Sequence, residues 1–153
     1  MKDKYLSYIW GSIAILAGTV IIYVGEHLMG IQLALFWGIQ TFSPAWVFTL
    51  TVIPLIAGFV VSMIYGLGGK LLCYFPALFA QAYSYWELLY VSGVPEEARL
   101  LPLGFWGFVV IVVIECAAIG GVLGEVMVKK IYGRRPKHLL YKSVSAEVER
   151  KAD

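Results

Sequence analysis

Charged side chains are scarce in this chain of 153 residues. They make up 14% of the sequence, whereas hydrophobic residues make up 60%. A soluble domain usually carries about 25% charged residues and about 45–50% apolar residues. So few charges cannot cover a water-facing surface, which means that lipid must solvate much of the chain. The composition therefore excludes an ordinary soluble domain and predicts an all-α integral membrane protein.

The residue types that form catalytic and metal centres are also few. The two cysteines, Cys73 and Cys116, lie in separate apolar segments and form no CxxC pair. The chain has two histidines, and its aspartates are Asp3 and Asp153. These numbers argue against a disulfide framework and a zinc site. No hydrolase triad, phosphate-binding loop or metalloprotease motif is present. We therefore expect no enzymatic activity, no cofactor and no bound metal.

Long apolar runs account for most of the sequence. A helix that crosses a bilayer needs about 20 apolar residues. The third run is rich in aromatic and polar residues, but it must cross if the basic C-terminal tail is to stay inside. The sequence thus predicts a four-helix transmembrane bundle in domain 1–130, with spans at about 5–24, 46–65, 71–91 and 103–128.

Positive charge is concentrated at the C-terminus. Eight of the twelve Lys and Arg residues lie between Lys129 and Lys151, and residues 25–45 contain none. Cytoplasmic loops carry the excess of Lys and Arg. Both termini are therefore predicted to be cytoplasmic, in a bacterial inner membrane, with 131–153 as a basic tail. We expect the basic residues at the start of this region to bind anionic lipid rather than nucleic acid. This basic cluster consists of Lys129, Lys130, Arg134, Arg135 and Lys137.

The outer segment 31–39 is apolar but too short to span. Segments of this length are often interfacial. Leu33, Phe36 and Trp37 would share one face of a helix, because they lie at positions i, i+3 and i+4. We expect a short amphipathic helix on the outer membrane surface. Ser43 and Pro44 then predict the start of the second span, as cap and first-turn residues.

Glu115 lies near the centre of the last span. An ionised carboxylate there costs about 2.5–3.5 kcal/mol, so it needs a partner or water. The third span runs antiparallel to the last, with Gln81 at a similar depth, and a hydrogen bond from Gln81 to Glu115 is predicted. Glu115 then serves either as an ion or proton relay or as a structural contact between helices.

Three further polar residues are predicted in the outer half of the membrane. Glu26 and His27 end the first span, and Glu87 follows Gln81 and Ser84 on the third. Residues spaced by three form one polar stripe, which should face protein or a water-filled cavity. The alternatives are a metal site, a proton path or a polar cap on the first span.

Small residues favour close helix packing. Gly120 and Gly124 form a GxxxG motif, and Gly11 and Gly18 share a face of the first span. Such faces pack within the chain or against a partner. Other membrane subunits are the expected partners, in a hetero-complex rather than a homo-oligomer.

Three functions fit these patterns. The first is a non-catalytic accessory or scaffold subunit of a larger membrane complex. The second is a small ion- or proton-coupled transporter or channel that uses Glu115. The third is a quinone-contacting subunit of a redox complex, with a site lined by Tyr83, Tyr85 and Trp86.

Overall fold

The computed structural model describes residues 2–132, which are mostly helical. The long helices are α1 (Lys2–Met29), α2 (Pro44–Tyr65), α4 (Tyr74–Tyr90) and α5 (Leu103–Tyr132), and a single turn, α3 (Gly69–Leu72), precedes α4. A 3-10 helix covers Gly38–Phe42, and two short strands are β1 (Leu35–Phe36) and β2 (Arg99–Leu100). The predicted basic tail, with Arg134, Arg135 and Lys137, lies outside the described residues.

Three of the described helices are long and apolar enough to cross a membrane. These segments are Ser7–Met29 in α1, Pro44–Tyr65 in α2 and Leu103–Ile131 in α5. They agree with three of the four predicted spans and are compatible with a multi-pass membrane protein. The remaining long helix, α4, has 17 residues. It is therefore about 26 Å long, which is shorter than the hydrocarbon core of a bilayer, at about 30 Å.

The start of α2 follows its sequence signals. The Ser43 side chain accepts a hydrogen bond from the backbone N–H of Trp46 at 3.2 Å, and Pro44 occupies the first turn. This cap satisfies one of the N–H groups that a helix start leaves without a partner. At the other end, the Gly66 N–H donates to the Ser62 carbonyl, and Gly66 has a positive φ of 90°. The predicted capping by Ser43 is confirmed.

The outer segment 31–39 is not an amphipathic helix, and that prediction was wrong. Positive φ angles at Gly30 and Gly38 interrupt helical geometry at each end. Between them, β1 pairs antiparallel with β2, with Leu35 opposite Leu100. Leu33 is fully buried whereas Phe36 and Trp37 are exposed, so the three side chains do not share one face. Pairing with a distant loop gives this backbone the hydrogen bonds that a helix would have supplied.

The strand pair also fixes the relative direction of the helices. It brings the α1–α2 loop and the α4–α5 loop to the same end of the molecule. We call this the strand end. Successive long helices therefore alternate in direction. Helix α1 packs against α2 and α4, and α5 also packs against α2 and α4.

Helices α2 and α5 are in direct backbone contact. A Cβ atom added to Gly58 would collide with the carbonyl oxygen of Ala117, and one added to Gly120 would collide with that of Leu55. A Cβ at Gly124 would lie 2.7 Å from the Phe59 carbonyl oxygen. Both glycines of the GxxxG motif thus face α2. The core around this contact consists largely of small residues, among them Ala57, Val61, Ala77, Val113 and Ala117.

The glycines of α1 differ in how closely they approach the neighbouring helices. A Cβ at Gly18 would lie 2.6 Å from Val61 on α2 and 2.9 Å from Pro76 on α4, so Gly18 allows both helices to approach. A Cβ at Gly11 would make only an ordinary contact with the Tyr65 ring, at 3.6 Å. Gly25 also allows close packing, because a Cβ added there would lie 2.7 Å from Ile53 on α2. Close packing of α1 therefore depends on Gly18 and Gly25.

Replacement of Gly120 by alanine is expected to lower the free energy of unfolding by about 1–3 kcal/mol, because the new methyl group meets backbone that cannot move aside. Gly107→Ala is the matched control, since it lies on the same helix and nothing is within 4 Å of its added Cβ. Equilibrium unfolding in mixed detergent micelles measures both. Equal stability of the two variants would contradict the backbone contact.

Candidate functional site

A buried carboxylate joins α1 to α4. Glu26, in the last turns of α1, is 1% exposed, and Gln81 on α4 is fully buried. The Gln81 Nε2 amide donates to Glu26 Oε1, and the Ser84 hydroxyl donates to Glu26 Oε2 at 3.2 Å. Because Gln81 and Ser84 are three positions apart, both reach the same carboxylate from one helix face. The polar stripe of α4 therefore faces α1, whereas the sequence led us to expect Gln81 to meet Glu115 of α5.

A second contact joins the same two helices. The Tyr23 hydroxyl donates to Glu87 Oε2 at 3.0 Å. The His27 ring packs against the Tyr23 ring, with ring centroids 4.4 Å apart, and is exposed. Tyr23 thus contacts both His27 and Glu87, in the same region as Glu26. Within residues 2–132, no group of three or more His, Cys, Asp or Glu side chains could hold a metal ion.

Glu115 lies apart from this cluster, and the hydrogen bond predicted between Gln81 and Glu115 was wrong. Gln81 donates to Glu26 instead, and Glu115 is exposed on the outer surface of α5. The error came from matching residues by depth. Depth along antiparallel helices does not specify rotation about the helix axis, which decides the neighbour that a side chain meets.

The lack of a cationic partner for Glu26 among the described residues is the main electrostatic feature of the cluster. Both hydrogen-bond donors to Glu26 are neutral, and the salt bridge found among the described residues joins Glu125 to Lys129, at 3.3 Å on α5. Buried carboxylates are normally paired with a cation or carry a proton. In addition, the buried Gln81 Oε1 has no hydrogen-bond partner among the described groups. The site can therefore accept a proton or a positively charged group.

Glu26 also lines a small cavity. It has a volume of 160 Å³ and lies between the end of α1, the segment around β1 and the α4–α5 loop. Its lining includes Glu26, His27, Gln32 and Trp37. The sequence indicated the polar residues at the end of α1 but not this cavity, since its lining residues, from Glu26 to Pro95, lie far apart in the chain.

The aromatic residues considered for quinone contact do not all lie on one face of α4. Tyr83 and Trp86 are exposed on α4, with ring centroids 5.8 Å apart, and Tyr83 also contacts Tyr23. Tyr85 is partly buried and packs against Trp106 of α5, with centroids 4.8 Å apart. The three rings do not line a common cavity among those found in the described part of the chain.

One buried carboxylate was missed by the sequence reasoning. Glu125 is 8% exposed on α5, where it pairs with exposed Lys129 one turn later, and its Oε2 atom has no partner among the described groups. The i, i+4 spacing of the two residues was the available signal. Lys129 and Lys130 themselves are exposed at the end of α5, away from the strand end.

Gln81→Leu is expected to lower the free energy of unfolding by about 1–3 kcal/mol, because it leaves the buried carboxylate with one donor. The double variant Glu26→Leu/Gln81→Leu should lose less than the sum of its single variants, since it removes both polar partners together. A double-mutant cycle by detergent unfolding measures this coupling. A second cycle, in which Glu96→Leu replaces Glu26→Leu, is the control, because Glu96 lies at an exposed loop position. In that cycle the changes in the free energy of unfolding should be additive.

The comparison with known proteins identifies no relative. The chain matches no protein-family profile, no curated protein and no solved structure.

Proposed function

We propose that this protein is a non-catalytic accessory subunit of a larger membrane complex, and that it contacts its partner through the outer face of α5. The observation that carries the proposal is the exposure of Glu115 near the middle of a long apolar helix. In an isolated chain this carboxylate would face lipid. A partner helix that offers a hydrogen-bond donor would cover it.

The energetic argument rests on the surroundings of Glu115. A charged side chain at the bilayer centre costs about 2.5–3.5 kcal/mol on insertion scales, and such residues almost always face protein or water. The neighbouring outward positions along α5 are large and apolar. They lie at successive spacings of three and four residues and form one stripe, which we call the outer α5 stripe: Phe108, Ile111, Glu115, Ile119, Val122 and Val126. One carboxylate in an apolar stripe is typical of a helix that packs against another helix.

The glycines of α5 are already used inside the chain. Gly120 and Gly124 face α2, whereas Glu115 and Ile119 face outward. The internal contact and the proposed partner contact therefore use different faces of the same helix. This division favours a subunit that folds by itself and then docks on another protein.

The proposed topology has four crossings with both termini in the cytoplasm of a bacterial inner membrane. Two observations support α4 as the fourth crossing. Its direction alternates with those of its neighbours, and its outward side chains are apolar or aromatic, including Phe75, Leu78, Phe79 and Trp86. The basic segment after α5 then meets the anionic lipid of the inner leaflet.

A second candidate function is that of a small ion- or proton-coupled transporter. The observation that favours it is the buried Glu26 with its neutral donors and adjoining cavity. Intramembrane carboxylates of this kind line proton and ion pathways. In this alternative Glu26 takes the coupling role that the sequence assigned to Glu115.

The topology is tested by labelling single cysteines with a membrane-impermeant maleimide in intact cells. Glu96→Cys, in the α4–α5 loop, should react from outside, because the strand end is predicted to face the periplasm. Lys151→Cys should react only after permeabilisation. The protein without an introduced cysteine is the control for background labelling of the native cysteines. Of these, Cys73 is buried and Cys116 is partly buried. Reaction of both introduced cysteines from outside would contradict the four-crossing topology.

The partner contact is tested by purifying the tagged full-length protein from its native membrane in mild detergent. Larger membrane subunits should copurify and be identified by mass spectrometry. Glu115→Leu should reduce their yield roughly tenfold, because an interhelical hydrogen bond contributes about 1–2 kcal/mol. Glu115→Gln should retain them, since an amide still forms hydrogen bonds. Ile119→Trp should also lose the partner, whereas Phe79→Trp, at an exposed position on α4, is the control that should not.

A protein that purifies as a single chain or as a homo-oligomer contradicts the accessory function. Reconstituted liposomes then distinguish the alternative. A transporter should lose ion flux in Glu26→Gln and keep it in Glu115→Gln, because only Glu26 adjoins the cavity.

A further inference from the structure

We propose that the cavity at the end of α1 binds a small organic ammonium ion. The inference is independent of the accessory function, because it concerns the strand end of the molecule rather than the outer α5 stripe. Three features of the cavity each favour positive charge, and two others specify an organic ligand of limited size.

The first feature is the buried carboxylate. Glu26 lines the cavity and is 1% exposed, and both donors to it are neutral. The lining contains no Lys or Arg, and its one histidine, His27, stacks on Tyr23. The carboxylate therefore lacks a cation from the described chain. The Oε1 atom of Gln81, which donates to Glu26 but does not line the cavity, also lacks a hydrogen-bond partner among the described groups.

The second feature is the position of the cavity at the C-terminus of a long helix. Helix α1 ends at Met29, and Glu26, His27 and Gly30 all line the cavity. The C-terminal end of a helix carries a partial negative charge of about half an electron, which stabilises a nearby cation. The carboxylate and the helix end therefore act in the same direction.

The third feature is the indole of Trp37. This side chain lines the cavity and is 40% exposed, so its ring is available to a ligand that enters from the strand end. An aromatic face attracts ammonium groups, and tryptophan does so most strongly. Carboxylate and indole together are a common means of recognising quaternary and methylated amines.

The lining argues for an organic ion over a metal ion. Calcium takes six to eight oxygen ligands, whereas Glu26 and Gln32 are the lining side chains that carry oxygen. Leu35, Trp37 and Pro95 supply apolar contact instead, which suits methyl or methylene groups around a nitrogen. The volume of 160 Å³ is close to that of a cavity of about 150 Å³ that takes benzene, so the ligand has about six or seven non-hydrogen atoms.

Choline is the probe that tests the site, and its neutral carbon analogue 3,3-dimethyl-1-butanol is the matched control ligand. The full-length protein in lipid nanodiscs is titrated with each by calorimetry. Choline should bind at least about tenfold more tightly than the neutral analogue, because only choline gains the charge and cation–π terms. Sodium chloride at equal concentration should not compete beyond its effect on ionic strength.

Two variants localise the binding. Glu26→Gln keeps the size of the side chain, removes its charge and should weaken choline binding about tenfold or more. Trp37→Leu should weaken choline binding several-fold. Because Trp37 is partly exposed, this variant keeps the test valid if Glu26→Gln does not fold. Trp86→Leu is the control, since Trp86 is exposed on α4 outside the cavity. Absence of choline binding overturns the proposal, as does equal affinity for the neutral analogue or unchanged affinity in Trp37→Leu.

Discussion

The contact between the α2 and α5 backbones is the interaction on which the other packing depends. In lipid, apolar side chains gain little from leaving one apolar environment for another, so helices associate through close contact and internal hydrogen bonds. Gly58 and Gly120 make that approach possible, each opposite a carbonyl of the other helix. The pair then presents two flanks, and α1 and α4 cover them. Gly18 allows α1 to approach Val61 and Pro76 at the same point.

Polar contacts hold the less closely packed pair together. Between α1 and α4 the structure places the Glu26 cluster and the Tyr23–Glu87 hydrogen bond. Hydrogen bonds between helices contribute about 1–2 kcal/mol in model membranes. The two pairs of helices are therefore joined by different means, with small residues in one and polar side chains in the other.

The sequence predicted those features that arise from local pattern. Apolar length predicted α1, α2 and α5, Ser43 and Pro44 predicted the start of α2, and the spacing of Gln81 and Ser84 predicted a polar stripe. Features that depend on two distant segments were not predicted. The partner of Gln81 was wrong because depth does not specify helix rotation. The prediction of a helix at 31–39 was wrong because β2, with which β1 pairs, lies beyond α2, α3 and α4 in the chain. Gly58 was also missed, since a lone glycine in an apolar run has no motif around it.

The antiparallel strand pair sets the order in which the molecule can be completed. Leu35 is synthesised soon after α1, but its partner Leu100 follows only when α4 has been made. Until then the backbone groups of β1 have no strand to pair with, and the α4–α5 loop that contributes Pro95 to the cavity is missing. The cavity is thus a property of the finished chain. A nascent chain that ends within α4 would already contain Glu26, Gln81 and Ser84 but would lack Pro95 and β2, so the ammonium ion that we propose as ligand could bind only after the α4–α5 loop has been made.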